Sequence, residues 1–248
     1  MQPKYLLFVL ILVLGLSCSK GDSNFSGDAG AGGSIARMTI SGNYLYIVSN
    51  TSLYTYDITH PQTTVLISEQ PISWGDIETI FPYRDKLFIG SQSGMYVFDN
   101  SDPKKPKLQG RAQHLRACDP VVADDNFAYV TLRNNNIGCG GTVNQLQVYD
   151  ISGTHVLTPK ITGTLDMPEP YGLGYSGNTL YVCMGAKGLN IVNTTDKAKP
   201  VSLKILTGEH FIDVIPYNDL LIAYVEGGIA LYDISSPADP QKLSTIQN

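Results

Sequence analysis

The chain has 248 residues and 26.9 kDa, with 17 basic and 22 acidic side chains and a formal net charge of −5. Charged residues make up only 16% while Tyr (15) and Gly (24) are abundant, which suits an all-β protein and argues against a coiled coil, a helical bundle or a disordered chain. The acidic balance leaves no electrostatic footprint for nucleic acid.

Lys4 is followed by an unbroken apolar run from Tyr5 to Leu16. That is too short for a membrane span of ~20 residues and the right length for the apolar region of a signal peptide, so residues 1–17 read as an export signal. Gly15-Leu16-Ser17-Cys18 resembles a bacterial lipobox, although Gly15 stands where a larger aliphatic residue is usual. This makes Cys18 the expected lipidation site and the membrane, through a lipid anchor, an expected partner. A cleaved signal leaving a soluble periplasmic protein is the alternative. Residues 18–33 are rich in Gly, Ser and Asp and read as a flexible tether. The expected location is therefore across the inner membrane, anchored at the outer membrane on its periplasmic or surface face.

From Ser34 the chain repeats. Five segments close on one phrase: Tyr56-Asp57-Ile58, Phe98-Asp99-Asn100, Tyr149-Asp150-Ile151, Val192-Asn193-Thr194 and Tyr232-Asp233-Ile234, with second residues 42, 51, 43 and 40 apart. Each phrase ends an alternating strand and precedes a turn, often with proline. A second strand lies upstream, as in Leu45-Tyr46-Ile47-Val48 and Leu180-Tyr181-Val182, with a shorter strand ahead of it. A fourth follows the turn. Four strands every ~42 residues is the period of a β-propeller blade, so residues 34–248 predict five blades, about 34–72, 73–114, 115–167, 168–210 and 211–248. The ring is expected to close by packing blade 1 against blade 5. The phrase Asp reads as the start of an Asx turn, with a different turn expected at Val192-Asn193.

The phrases Leu146-Gln147-Val148-Tyr149-Asp150-Ile151-Ser152 and Ile229-Ala230-Leu231-Tyr232-Asp233-Ile234-Ser235 resemble the LVIVD-repeat family of secreted bacterial proteins. The resemblance implies a secreted β-propeller and is nearly silent on activity.

Blade 3 is the irregular one. Ala128 to Asp150 spans 22 residues where the other blades take 12 or 13, placing a ten-residue insert near 134–143. The insert holds Cys139, and Cys118 begins the same blade's first strand. In a four-stranded antiparallel blade these two places share one face, so an oxidising compartment favours a Cys118–Cys139 disulfide. Two free thiols or a shared metal are the alternatives, and the spacing makes a poor zinc site. Cys183 reads as a packed free thiol.

The face carrying the loops into each first strand, and from second to third strand, is the candidate binding surface. It collects Arg37, Trp74, Asp76, Glu78, His114, Arg116, Asp119, Arg133, Glu169, Tyr171, His210, Asp213 and Glu226. Arg37, Glu78, Asp119 and Asp213 fall at or beside one equivalent rim position, a ring that suits a cation, a sugar or a peptide, or that merely solvates a funnel mouth. Trp74 suits a stacking platform or packing against a neighbouring blade. The sequence has no nucleophile elbow, no zinc-protease motif, no Walker loop and no dinucleotide fingerprint. No catalytic residue, cofactor or metal is expected. The reading is a non-catalytic propeller that binds or scaffolds a protein or glycan ligand at the cell envelope. Its rival is a glycan-acting hydrolase using axial carboxylates.

Overall fold

The computed structural model describes residues 33–73, 76–114, 120–134 and 142–247. These form twenty strands in five antiparallel four-stranded sheets, each built from consecutive strands, a five-bladed β-propeller. Blade 1 holds β1 (Met38–Ser41), β2 (Tyr44–Val48), β3 (Ser52–Asp57) and β4 (Val65–Pro71). Blade 2 holds β5 (Ile77–Tyr83), β6 (Lys86–Ser91), β7 (Gly94–Asp99) and β8 (Lys107–Gln113). Blade 3 holds β9 (Val121–Ala123), β10 (Phe127–Leu132), β11 (Gln145–Asp150) and β12 (Lys160–Asp166). Blade 4 holds β13 (Leu173–Ser176), β14 (Thr179–Cys183), β15 (Leu189–Asn193) and β16 (Val201–Leu206). Blade 5 holds β17 (Phe211–Tyr217), β18 (Leu220–Val225), β19 (Gly228–Asp233) and β20 (Gln241–Gln247). Helix among the described residues is limited to two short 3-10 segments, Pro61–Thr63 and Gly153–Leu157.

The repeated phrase has a single structural job. It ends the third strand of every blade, and its side-chain oxygen accepts the backbone N–H two residues on. The bonds are Thr59 to Asp57 (2.8 Å), Ser101 to Asp99 (2.9 Å), Ser152 to Asp150 (2.8 Å), Thr195 to Asn193 (2.8 Å) and Ser235 to Asp233 (2.7 Å). Blade 4 therefore keeps the common turn, contrary to expectation, because the amide oxygen of Asn193 accepts as the carboxylates do. In every blade the third and fourth strands then slip by one residue at a β-bulge, as between Val97 and Phe98. The added twist suits a propeller blade.

The core lies between blades. Four buried apolar clusters each join the trailing face of one blade to the leading face of the next. Tyr46, Val48 and Leu53 meet Ile80, Leu87 and Ile89; Phe88 and Met95 meet Val121 and Val130. Tyr129 and Leu146 meet Leu173 and Val182; Tyr181 and Leu189 meet Val214 and Ala223. Two hydroxyls reach across, from Tyr46 to the Pro103 carbonyl and from Tyr181 to the Pro237 carbonyl, each at 3.0 Å.

Among the described residues no fifth cluster joins blade 5 to blade 1. The expected closure by face-to-face packing is not what forms. Met38 is 63% exposed, whereas its equivalents Ile80, Val121, Leu173 and Val214 are exposed by 1% or less. Ile229 is 36% exposed against 0–1% for Leu53, Met95, Leu146 and Leu189. The two end blades are tied instead at the inner edge, by the chain entering blade 1. Ser34 is fully buried there; its hydroxyl donates to Asp213 (3.0 Å) and accepts from the Leu173 N–H (2.7 Å), while the Ala36 carbonyl accepts from Ile80 N–H (2.8 Å). Residues 33–37 thus lie across the centre and touch blades 2, 4 and 5.

Candidate functional site

The loops into the first strands and between the second and third strands lie on one face, as antiparallel order requires. On that face blades 3, 4 and 5 bring together Arg133, Tyr171 and His210. Arg133 follows β10, and its guanidinium carbon sits 4.1 Å from the centroid of the Tyr171 ring. This is a close cation–π contact. The Tyr171 ring meets His210 edge-on at 6.1 Å, and His210 Nδ1 lies 3.2 Å from a carboxylate oxygen of Glu226, on the turn between β18 and β19. Half-buried Arg133, Tyr171 and His210 form a continuous strip with exposed Glu226 at its end.

Hydrogen bonds to the backbone fix the strip. Thr131 Oγ1 donates to the Tyr171 carbonyl (2.8 Å), linking blades 3 and 4, and Gly185 exchanges two bonds with Phe211 (3.0 and 3.1 Å), linking blades 4 and 5. Gly185 has φ +54°, and a Cβ there would stand 2.9 Å from the Tyr171 ring and 3.1 Å from the His210 ring, too close to the first and tight against the second. Glycine is what lets those rings approach.

The other candidates lie apart from this strip or within the protein. Arg37 is exposed and donates to Asn50 Oδ1 (2.8 Å) and the Ile77 carbonyl (3.1 Å), bracing blade 1 against blade 2. Asp76 is exposed with φ +53°. Glu78 is the bulged residue of β5 and accepts from Gln92 Nε2 (3.0 Å). His114 follows β8, and its N–H donates to the Ser93 carbonyl (3.3 Å). Trp74, Arg116, Cys118, Asp119 and Cys139 lie outside the described residues, as does Cys18. The base of the blade 3 insert is described, and Asn134 N–H donates to Asn144 Oδ1 across it (2.8 Å).

Asp213 is not on the rim. It is 6% exposed, and its oxygens accept from the Ser34 hydroxyl, Ile35 N–H (3.3 Å) and its own following Val214 N–H (3.0 Å). The bulge between Phe211 and Asp213 shifts the alternation that would have carried this side chain outward. Burial pushes its carboxyl up to about 6, while the bonds from Ser34, Ile35 and Val214 hold it lower than burial alone would. Glu78 and Asp213 thus accept hydrogen bonds from different neighbours, Gln92 for one and Ser34, Ile35 and Val214 for the other. Cys183 is a fully buried free thiol, as expected, and burial together with the Asp213 charge raises it well above its ordinary value.

The strip could not have been picked from composition or spacing alone. Arg133, Tyr171 and His210 belonged to a longer set, and only the equivalence of their loop positions hinted that they meet. Glu226 completes it because the β18–β19 turn is the blade 5 counterpart of the loop bearing Arg133.

Comparison with solved structures places the fold. A protein from Lactobacillus plantarum superposes with a TM-score of 0.63 at 12% identity, over 83% of this chain and 68% of its own. AztD from Citrobacter koseri gives 0.57 at 13% identity, over 87% and 61%. BamB from Moraxella catarrhalis gives 0.56 at 11% identity, over 76% and 55%. The chain thus spans 55–68% of the length of these proteins, and at such identity the likeness is one of fold alone. No curated protein matches it in sequence. Within the chain, the sequence of residues 32–69, which holds β1, β2, β3 and most of β4, matches the LVIVD repeat, so the molecule is a five-bladed β-propeller with an LVIVD repeat match in its first blade.

Proposed function

We propose that this propeller is a non-catalytic binding or scaffolding module of the cell envelope, held to a membrane through a lipidated Cys18 and engaging a protein or glycan ligand. The observation that carries the reading is the strip Arg133–Tyr171–His210–Glu226. It offers a cation, two rings and a carboxylate on one face, contributed by three blades and braced from beneath by backbone bonds. A surface of this kind can stack on a sugar or a planar side chain and pair with charges beside it. Asp213, a buried carboxyl of the axial set, spends its oxygens on Ser34 and backbone N–H groups, so a hydrolytic role finds no support from it.

The test is capture from detergent-solubilised envelopes with the full chain as bait. The Arg133→Ala/Tyr171→Ala chain should lose at least tenfold of whatever the unaltered bait retains. Equal capture by both would remove the strip from consideration. The anchor is tested separately: Cys18→Ala should move the protein from the membrane to the soluble fraction, and mass spectrometry should find an acylated Cys18 at the mature N-terminus.

A further inference from the structure

Blade 5 departs from its neighbours on the face it turns toward blade 4. Three residues before the phrase Asp or Asn, the third strand pairs with the fourth as Tyr96 with Arg111 in blade 2, Gln147 with Thr164 in blade 3 and Asn190 with Ile205 in blade 4. In blade 5 the pair is Ala230 with Thr245, the smallest of the four. Arg111 lays its guanidinium over the Tyr96 ring at 5.4 Å, and Gln147 accepts from the Tyr149 hydroxyl (2.6 Å), so longer side chains occupy that place in the earlier blades. Ala230 and Thr245 carry no such length.

A recess of about 300 Å³ opens beside Thr245, walled by Glu209, Glu226, Lys242, Thr245 and Gln247. It adjoins the strip, because Glu226 belongs to both. Its volume is at the lower end of the range for small-ligand sites. Lys242 pairs with Glu209, and Glu226 with His210. With His210 neutral, Arg133 and Lys242 offset Glu209 and Glu226, so the strip and recess together carry no formal charge to attract an ion.

We propose, resting on the reading of the strip as a binding surface, that its ligand is a neutral glycan, with one sugar ring in the recess and the next against the rings of Tyr171 and His210. A sugar has an apolar C–H face and a rim of hydroxyls that both donate and accept. The aromatic rings suit the C–H face. Around the recess Lys242 donates, Glu209 and Glu226 accept, and Thr245 and Gln247 do both. The anchor residue of a protein partner fills a well-packed desolvated pocket, and this recess offers charged and hydroxyl-bearing walls instead.

The full chain, in a detergent without a sugar headgroup, is titrated with neutral hexasaccharides of glucose, mannose, galactose and N-acetylglucosamine, and saturation-transfer NMR is read on the sugar protons. At least one should bind saturably. Thr245→Trp, which fills the recess from an exposed position, and Lys242→Met, which removes its ammonium from another, should each weaken that binding at least tenfold. Binding by none of the four sugars would overturn the proposal, as would equal binding by both variants. Envelope capture separates this failure from that of the underlying reading. Capture that needs Arg133 and Tyr171, survives periodate oxidation of the envelopes and is abolished by protease would identify a protein ligand, overturning the glycan and leaving the strip. Sugar binding and capture both indifferent to Arg133→Ala/Tyr171→Ala would overturn the strip itself.

Discussion

Among the described residues, blades 2, 3 and 4 are covered on both faces, and blades 1 and 5 on one. The local structure is nonetheless the same in all five: the same strand order, the same Asx turn and the same bulge. The contrast separates what a blade owes to itself from what it owes to its neighbours. Turns and ladders are local and survive at the ends. Burial of the sheet faces is supplied by the next blade, and Met38 and Ile229 show what the same positions look like without one.

The sharpest way to test this contrast is to truncate equivalent side chains. Leu146→Ala, in the core between blades 3 and 4, should cost about 2–5 kcal/mol in chemical unfolding, because a filled cavity is emptied. Ile229→Ala, at the same position of blade 5, should cost less than about 1 kcal/mol. Equal losses would mean that the blade 5 face is covered in solution.

A second test uses pH and acts only where the end blades are tied together. A carboxyl whose folded value is raised binds its proton more tightly in the folded state, so its ionisation costs stability. For Asp213 that cost should begin above its ordinary 3.8 and be complete above about 6. Over that window the unaltered chain should lose about 3 kcal/mol relative to Asp213→Asn, read from unfolding midpoints at stepped pH. A flat difference would mean that water reaches this carboxyl.

Smaller effects are expected where blades meet edge to turn. Gly110 of β8 lies against the Val156 carbonyl of blade 3, and a Cβ there would collide with it. Gly110→Ala should therefore destabilise by roughly 1–3 kcal/mol. Ser244, its counterpart in blade 5, is exposed, and Ser244→Ala should be silent. The smallest difference belongs to the turn itself. Asn193→Ala should lose about 0.5–1.5 kcal/mol by thermal unfolding, whereas Asn193→Asp should be nearly neutral because it keeps the acceptor.

The repeat made the blades legible. Tyr56-Asp57 and its counterparts recur because each blade needs the same acceptor at the same strand end, and a requirement repeated five times stands out from background. Cys183 was readable for a similar reason, as a thiol on an apolar strand. Closure was not readable. It depends on the angle between neighbouring blades, which arises from side-chain volumes in four interfaces together and from no single residue. One local mark did exist in Ile222, where Tyr46, Tyr129 and Tyr181 stand in three other blades. The position of Asp213 was hidden by a bulge that only register reveals, and a one-residue slip exchanges rim for interior. The strip at Tyr171 was partly visible, since loop equivalence grouped its members, but their contact depends on Gly185, a residue without a side chain to attract notice.

The path of residues 33–37 has a mechanical consequence. Tension on the chain ahead of Gly33 would arrive at the centre of the molecule, on the Ser34–Asp213 and Ala36–Ile80 bonds, before it reached any outer strand. The rim strands β4, β8, β12, β16 and β20 would carry little of that load. Pulling from this end should therefore fail first by drawing out the hub and parting blade 1 from blades 4 and 5, whereas pulling from Gln247 should peel β20 from β19 one ladder bond at a time.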